Sequence, residues 1–249
     1  MGLIIAAAIT TGLAMAILAG TLLVIAAPGD RRVLAIAFMV ALPLQPLAFY
    51  LLRLPIDGLV RAGFGLGAAW IVASQFYAPL TEEPAKWLVL AVPAVRRALS
   101  PRNAMPLALA IGFGFGIGEI WFLANALVRA PSTPDLPFWM FNGFMLERLE
   151  VCCLHAAFVA LPIAGIARAK SFWPGAIAGL VLHFLTNFPI YLARIDFAGL
   201  GATRWMTALG AWVVVLTIAG IVMMWRLHRR LARVAASKVA VTPEPIART

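Results

Sequence analysis

Residues 104–128 read AMPLALAIGFGFGIGEIWFLANALV, a run in which Glu119 is the only charged residue. As a helix it rises about 37 Å, more than the roughly 30 Å hydrocarbon core of a bilayer. Four glycines fall at 112, 114, 116 and 118. The pairs Gly112/Gly116 and Gly114/Gly118 have the small-residue spacing that lets membrane helices approach closely. They follow no strand and do not match the dinucleotide fingerprint, so no cofactor is implied. Gly63, Gly65 and Gly67 form a second cluster, also without that fingerprint.

Outward from this run the pattern repeats. Apolar stretches cover about 3–26, 33–53, 58–95, 143–168, 173–193 and 205–227, and 63% of the chain is hydrophobic against 12% charged. A soluble domain needs far more polar surface. The expectation is an all-α polytopic bundle of seven or eight transmembrane helices with a polar site inside the membrane. The 58–95 stretch is too long for one straight span. Pro79, followed by Thr81, Glu82 and Glu83, predicts a break there, giving one span plus a partial or re-entrant helix. One domain is expected over 1–228, followed by a basic, disordered cytoplasmic tail over 229–249.

The formal net charge of +10 does not point to nucleic acid, because the basic residues sit in connections and in the tail beside apolar spans. Placed there, they orient the chain and meet anionic headgroups. The heavier set is Arg31-Arg32, Arg96/Arg97/Arg102, Arg168/Lys170 and the tail; the lighter is Arg53/Arg61, Arg129 and Arg194/Arg204. With the heavier set in the cytoplasm, the N-terminus lies outside and the C-terminus inside. The first apolar run lacks a basic leader and reads as a span rather than a cleaved signal. Cys152 and Cys153 are adjacent within an apolar stretch and read as small fillers. The segment 129–147, with Pro131, Pro134, Pro137, Phe138 and Trp139, reads as an interfacial aromatic anchor.

The chemistry concentrates where charge is costly. Glu82, Glu83, Glu119, His155 and His183 all lie in apolar segments, and an ionised group at the bilayer centre costs about 2.5–3.5 kcal/mol on insertion scales. Lys86 lies within reach of both Glu82 and Glu83 on a helix, and Pro84 suits a first helical turn. Adjacent glutamates point about 100° apart, so one can face a site while the other pairs with Lys86. Arg148 shares a face with His155 one heptad on, and Asn187 shares one with His183. A catalytic zinc takes three protein ligands, and Glu119, His155 and His183 supply that set from three helices. Glu82 or Glu83 is then the general base for the attacking water, and Asn187 an oxyanion donor or further ligand. Lys86 and Arg148 orient the carboxylates.

In order along the chain, Glu82-Glu83-x-x-Lys86, Phe115-x-x-x-Glu119, Arg148 leading to His155, and His183-x-x-x-Asn187 resemble the motifs of the PrsW-type intramembrane metalloproteases. These are related to the CAAX-protease and bacteriocin-processing (CPBP) membrane enzymes. The resemblance covers about 82–187. It departs at Ile120, where the family often has asparagine, and at Val159, where it often has a small residue. It implies hydrolysis of a peptide bond in a membrane-embedded or membrane-anchored protein, with a divalent metal, zinc foremost, in a bacterial inner membrane. No His-Glu-x-x-His helix occurs, which excludes the soluble zincin arrangement. The alternatives are a proton-coupled transporter, since membrane carboxylates and histidines also form proton relays, and a catalytically inactive scaffold of the same fold.

Overall fold

In the computed structural model, which describes residues 1–240 except Leu66 and Ser132, the glycine-rich run is helix α7 (Ala104–Val128), buried almost throughout its first two-thirds. Around it pack α1 (Gly2–Ile25), α2 (Arg31–Ala41) and α8 (Asn142–Ala167). The glycines explain how. A Cβ on Gly112 would run into the backbone of Ala156, and one on Gly116 into Cys152; on Gly114 and Gly118 it would meet the carbonyls of Phe38 and Leu42. One pair therefore seats α8 and the other the end of α2. Cys152 is buried in this seam, and both cysteines are free thiols.

Because the obstacle at Gly112 is backbone, it cannot rotate away. Gly112→Ala is expected to destabilise by at least the roughly 1–3 kcal/mol of an overpacked core. Gly210→Ala, in open space on the last helix, is the control and should gain up to about 1 kcal/mol from helix propensity. Thermal denaturation of the two variants in detergent checks this. Equal midpoints would show that the close approach contributes nothing.

Among the described residues, six helical stretches are long and apolar enough to cross a membrane: Gly2–Ile25, Pro28–Gly63, Ala104–Val128, Phe138–Ala167, Trp173–Arg194 and Gly201–Ser237. Among the described residues there is no strand. The second stretch is an interrupted rod: α2, α3 (Leu44–Ala48), a π-helical turn over Phe49–Arg53 and α4 (Leu54–Phe64). Gly65, at φ +67°, turns the chain into α5 (Ala68–Trp87). That helix is long enough to cross but carries Glu82, Glu83 and Lys86.

The break expected at Pro79 does not occur. α5 runs through both Pro79 and Pro84, so Pro84 is interior rather than in a first turn. Proline removes a helical hydrogen bond and crowds the preceding turn. Here the Thr81 hydroxyl bonds back to the carbonyls of Tyr77 at 2.9 Å and Ala78 at 3.0 Å, and packing against α9 (Trp173–Arg194) supports the helix. It ends in a 3-10 turn over Leu88–Ala91, followed by the short α6 (Pro93–Ala98).

The basic clusters sort by end. Val33, Val95, Ala104, Ala167 and Leu231 share one core cluster, which brings the heavier arginine and lysine groups beside them to one end of the bundle. At the other end, Leu136 in the 129–147 connection covers Gly2 at the start of α1. The last helix, α10 (Gly201–Ala240), continues past residue 228. The stretch 229–240 is therefore helical rather than disordered: it contains neither Gly nor Pro, and Leu231 is buried against the core. Residues 241–249 of the expected tail lie outside the described residues.

Candidate active site

Four helices bring their polar residues to one place. α5 contributes Glu82, Glu83 and Lys86; α7 contributes Glu119; α8 contributes Arg148 and His155; α9 contributes His183. Glu119, His155 and His183 each lie near the middle of their helices. α5 can deliver three polar groups because its helix is continuous: residues 82, 83 and 86 fall on adjoining positions of a 3.6-residue turn.

Glu83 and Lys86 form the innermost pair. Both are fully buried, with Lys86 Nζ donating to Glu83 Oε1 at 2.5 Å. Lys86 Nζ also reaches His155 Nδ1 at 2.8 Å, and the rings of Phe115 and Phe158 flank it at 4.8 and 5.6 Å. An ammonium group only donates, so Nδ1 of His155 accepts and the ring proton is on Nε2. That nitrogen donates to Glu119 Oε2 at 2.7 Å. Glu119 Oε1 accepts from Arg148 at 2.9 Å, and Arg148 is held in turn by Glu147.

His183 is oriented from the other side. Its Nδ1 lies 2.6 Å from Glu83 Oε1, so Nδ1–H donates to the carboxylate. This arrangement holds an imidazole in one tautomer with Nε2 free. Phe158 stacks on the ring at 5.1 Å. Nε2 faces Glu82 Oε2 at 3.7 Å, and Arg53 lies 3.6 Å from Glu82 Oε1. Two acceptors thus confront each other, a pairing that calls for a cation or a shared proton between them.

Glu82 and Glu83 therefore sit in different environments. Glu83 is enclosed by Lys86 and His183. Glu82 makes no direct hydrogen bond among the described residues and belongs to the group that can hold a metal: Glu82, Glu119 and His155 have ligand atoms within 4.8 Å of one another. The donor set, two carboxylates and an imidazole, suits zinc. To serve as a ligand through Nε2, His155 would release its Nε2 proton to solvent and take one onto Nδ1 from Lys86, which would become a neutral amine. His183 stands at the edge of this group, adjoining it through Glu82. Asn187, half-buried one turn along α9, makes no hydrogen bond among the described residues, and so is not joined to the network.

Three contributors escape a sequence reading. Arg53 looks like an orienting loop charge, but the π-helical turn Phe49–Arg53 aims it at Glu82. Glu147 looks like an interfacial acid but clamps Arg148. Phe158 looks like one more apolar residue but packs both Lys86 and His183. Glu119, at 15%, is the most exposed of the cluster's carboxylates, ahead of Glu82 at 9% and Glu83 at 0%. No protein-family description, curated protein or solved structure matches the chain.

Proposed function

We propose that the chain is an intramembrane metal-dependent hydrolase that cuts a peptide bond in or beside the bilayer. The observation that carries this reading is the convergence of Glu82, Glu119 and His155, from three helices, on one point inside an apolar bundle. In this reading those three hold a divalent ion, zinc foremost, which would supply the positive charge that polarises a peptide carbonyl. Glu83 holds the His183 tautomer, as the carboxylate does in a catalytic triad, and leaves Nε2 to take a proton from a water beside Glu82. Relative to the sequence expectation, Glu82 and His183 exchange roles. Lys86 and Arg148 hold His155 and Glu119 in place, and Arg53 steadies Glu82. Asn187 keeps its proposed place as a donor to substrate, reached after movement of its side chain.

Topology follows the same proposal. Counting α5 as a seventh, polar crossing puts the N-terminus outside and all the heavier basic groups on the cytoplasmic side of a bacterial inner membrane. The substrate is a membrane-embedded or membrane-anchored protein.

One observation favours the second reading, a proton-coupled carrier. Glu119, His155, Lys86, Glu83 and His183 form a hydrogen-bonded path of titratable groups, and Glu82 lies 3.7 Å beyond its end. Metal analysis of the detergent-purified protein, with pH-gradient-driven flux in proteoliposomes, separates the two. About one ion per chain and no flux is the expected result. Metal-free protein with flux abolished by Glu119→Gln would transfer the site to the carrier. Neither metal nor flux would leave the inactive scaffold.

A further inference from the structure

Two cavities lie outside the carboxylate–imidazole cluster, both opening on the crevice beside α1. One, of about 590 Å³, runs between α1 and α2 and ends at Pro28 and Arg31. The other, of about 700 Å³, lies among α1, the α2–α3 junction and α7, and ends at Tyr50, Asn125 and Arg129. Met15 and Phe38 line both, so the two halves meet there.

The halves point to opposite ends of the bundle. Asp30, next to Arg31, accepts a hydrogen bond from Asn103 at the start of α7 at 3.3 Å, while Arg129 caps the far end of α7. The α1 wall from Met15 to Ala26 rises about 16 Å, and the α7 wall from Ile117 to Arg129 about 18 Å, at ~1.5 Å per residue. Each is close to half of a roughly 30 Å hydrocarbon core. Both arginines are exposed, and neither has an ion-pair or hydrogen-bond partner among the described residues.

An apolar trench one leaflet deep, with an unpaired guanidinium at its mouth, is complementary to a phospholipid. The walls take acyl chain, and the guanidinium takes the phosphate in a charge-assisted hydrogen bond. We propose that this crevice binds two phospholipids tail to tail, one from each leaflet, with their phosphates on Arg31 and Arg129. This inference rests on the membrane-spanning reading and is independent of the catalytic one.

The test is native mass spectrometry of the full chain in dodecyl maltoside, offered phosphatidylglycerol or, in parallel, the matching uncharged diacylglycerol. The wild type is expected to retain two phosphatidylglycerols, and Arg31→Gln and Arg129→Gln to lose one each. Ala35→Trp, which fills the Arg31 half and leaves the arginine, should also lose one. Arg204→Gln, exposed and outside both cavities, should keep both. Undiminished retention in the Arg31→Gln/Arg129→Gln double variant would overturn the proposal. So would full retention in Ala35→Trp, or diacylglycerol held as well as phosphatidylglycerol.

Discussion

Glu82→Ala, Glu119→Ala and His155→Ala are each expected to reduce bound metal from about one ion per chain to near none. His183→Ala should keep most of the metal, while turnover falls about 10²- to 10⁴-fold with the loss of a general base. The asymmetry comes from geometry. Glu82 belongs to the group of atoms within 4.8 Å of one another, whereas His183 has one nitrogen committed to Glu83 at 2.6 Å and the other 3.7 Å from Glu82. Metal analysis on the four variants, with turnover once a substrate is in hand, separates ligand from base. If His183→Ala loses the ion and Glu82→Ala keeps it, the ligand set reverts to Glu119, His155 and His183, with Glu82 as base.

The second large effect is on stability. Lys86→Met removes the one ammonium group that touches both Glu83 and His155, stranding a carboxylate that is fully buried. Breaking a buried pair from one side costs about 3–5 kcal/mol, because the remaining charge has lost its partner. Glu83→Gln should cost a comparable amount, since each partner keeps one neutral hydrogen-bond partner, Lys86 at His155 Nδ1 and Glu83 at His183 Nδ1, but loses its opposite charge. The Lys86→Met/Glu83→Gln double variant should recover a large part of the loss, and the coupling is read directly from the cycle. Thermal unfolding in detergent provides the comparison. If Lys86→Met melts with the wild type, the pair is not what holds α5 to α8 and α9.

These two expectations pull on the same residues in different ways. Lys86 and Glu83 are enclosed, so their replacement is felt first as lost stability. Glu82 and Glu119 are less enclosed, so theirs is felt first as lost binding. Arg148 belongs with Glu119, because it holds one carboxylate oxygen while His155 holds the other.

How much of this was legible beforehand varies by element. The membrane class was, since runs such as 104–128 are too long and too apolar for anything else of that length. The glycine spacing at 112, 114, 116 and 118 also foretold two close seams, because small residues four apart leave a groove on one helix face whatever the partner. Glu82, Glu83, Lys86, Glu119, Arg148, His155 and His183 were also legible as candidates, since an apolar chain carries few ionisable residues, whereas Arg53 and Glu147 were not and Asn187 stands apart from the network. Other features needed the packed bundle. Pro79 reads as a break from local chemistry alone, yet α5 stays helical through it, packed along α9. The tail reads as disordered by its charge, yet residues 229–240 extend α10 because Leu231 has a core to enter.

The sequence by itself determined that this is an all-helical, membrane-type chain and which ionisable side chains lie within its helices. Only the tertiary structure decided which neighbours those side chains meet: Glu83 meets Lys86 and His183, and Glu82 lies within 4.8 Å of Glu119 and His155. Adjacent residues on a helix point about 100° apart, and which helix waits in each direction depends on how α5, α7, α8 and α9 pack. Residue spacing along one chain does not encode that packing.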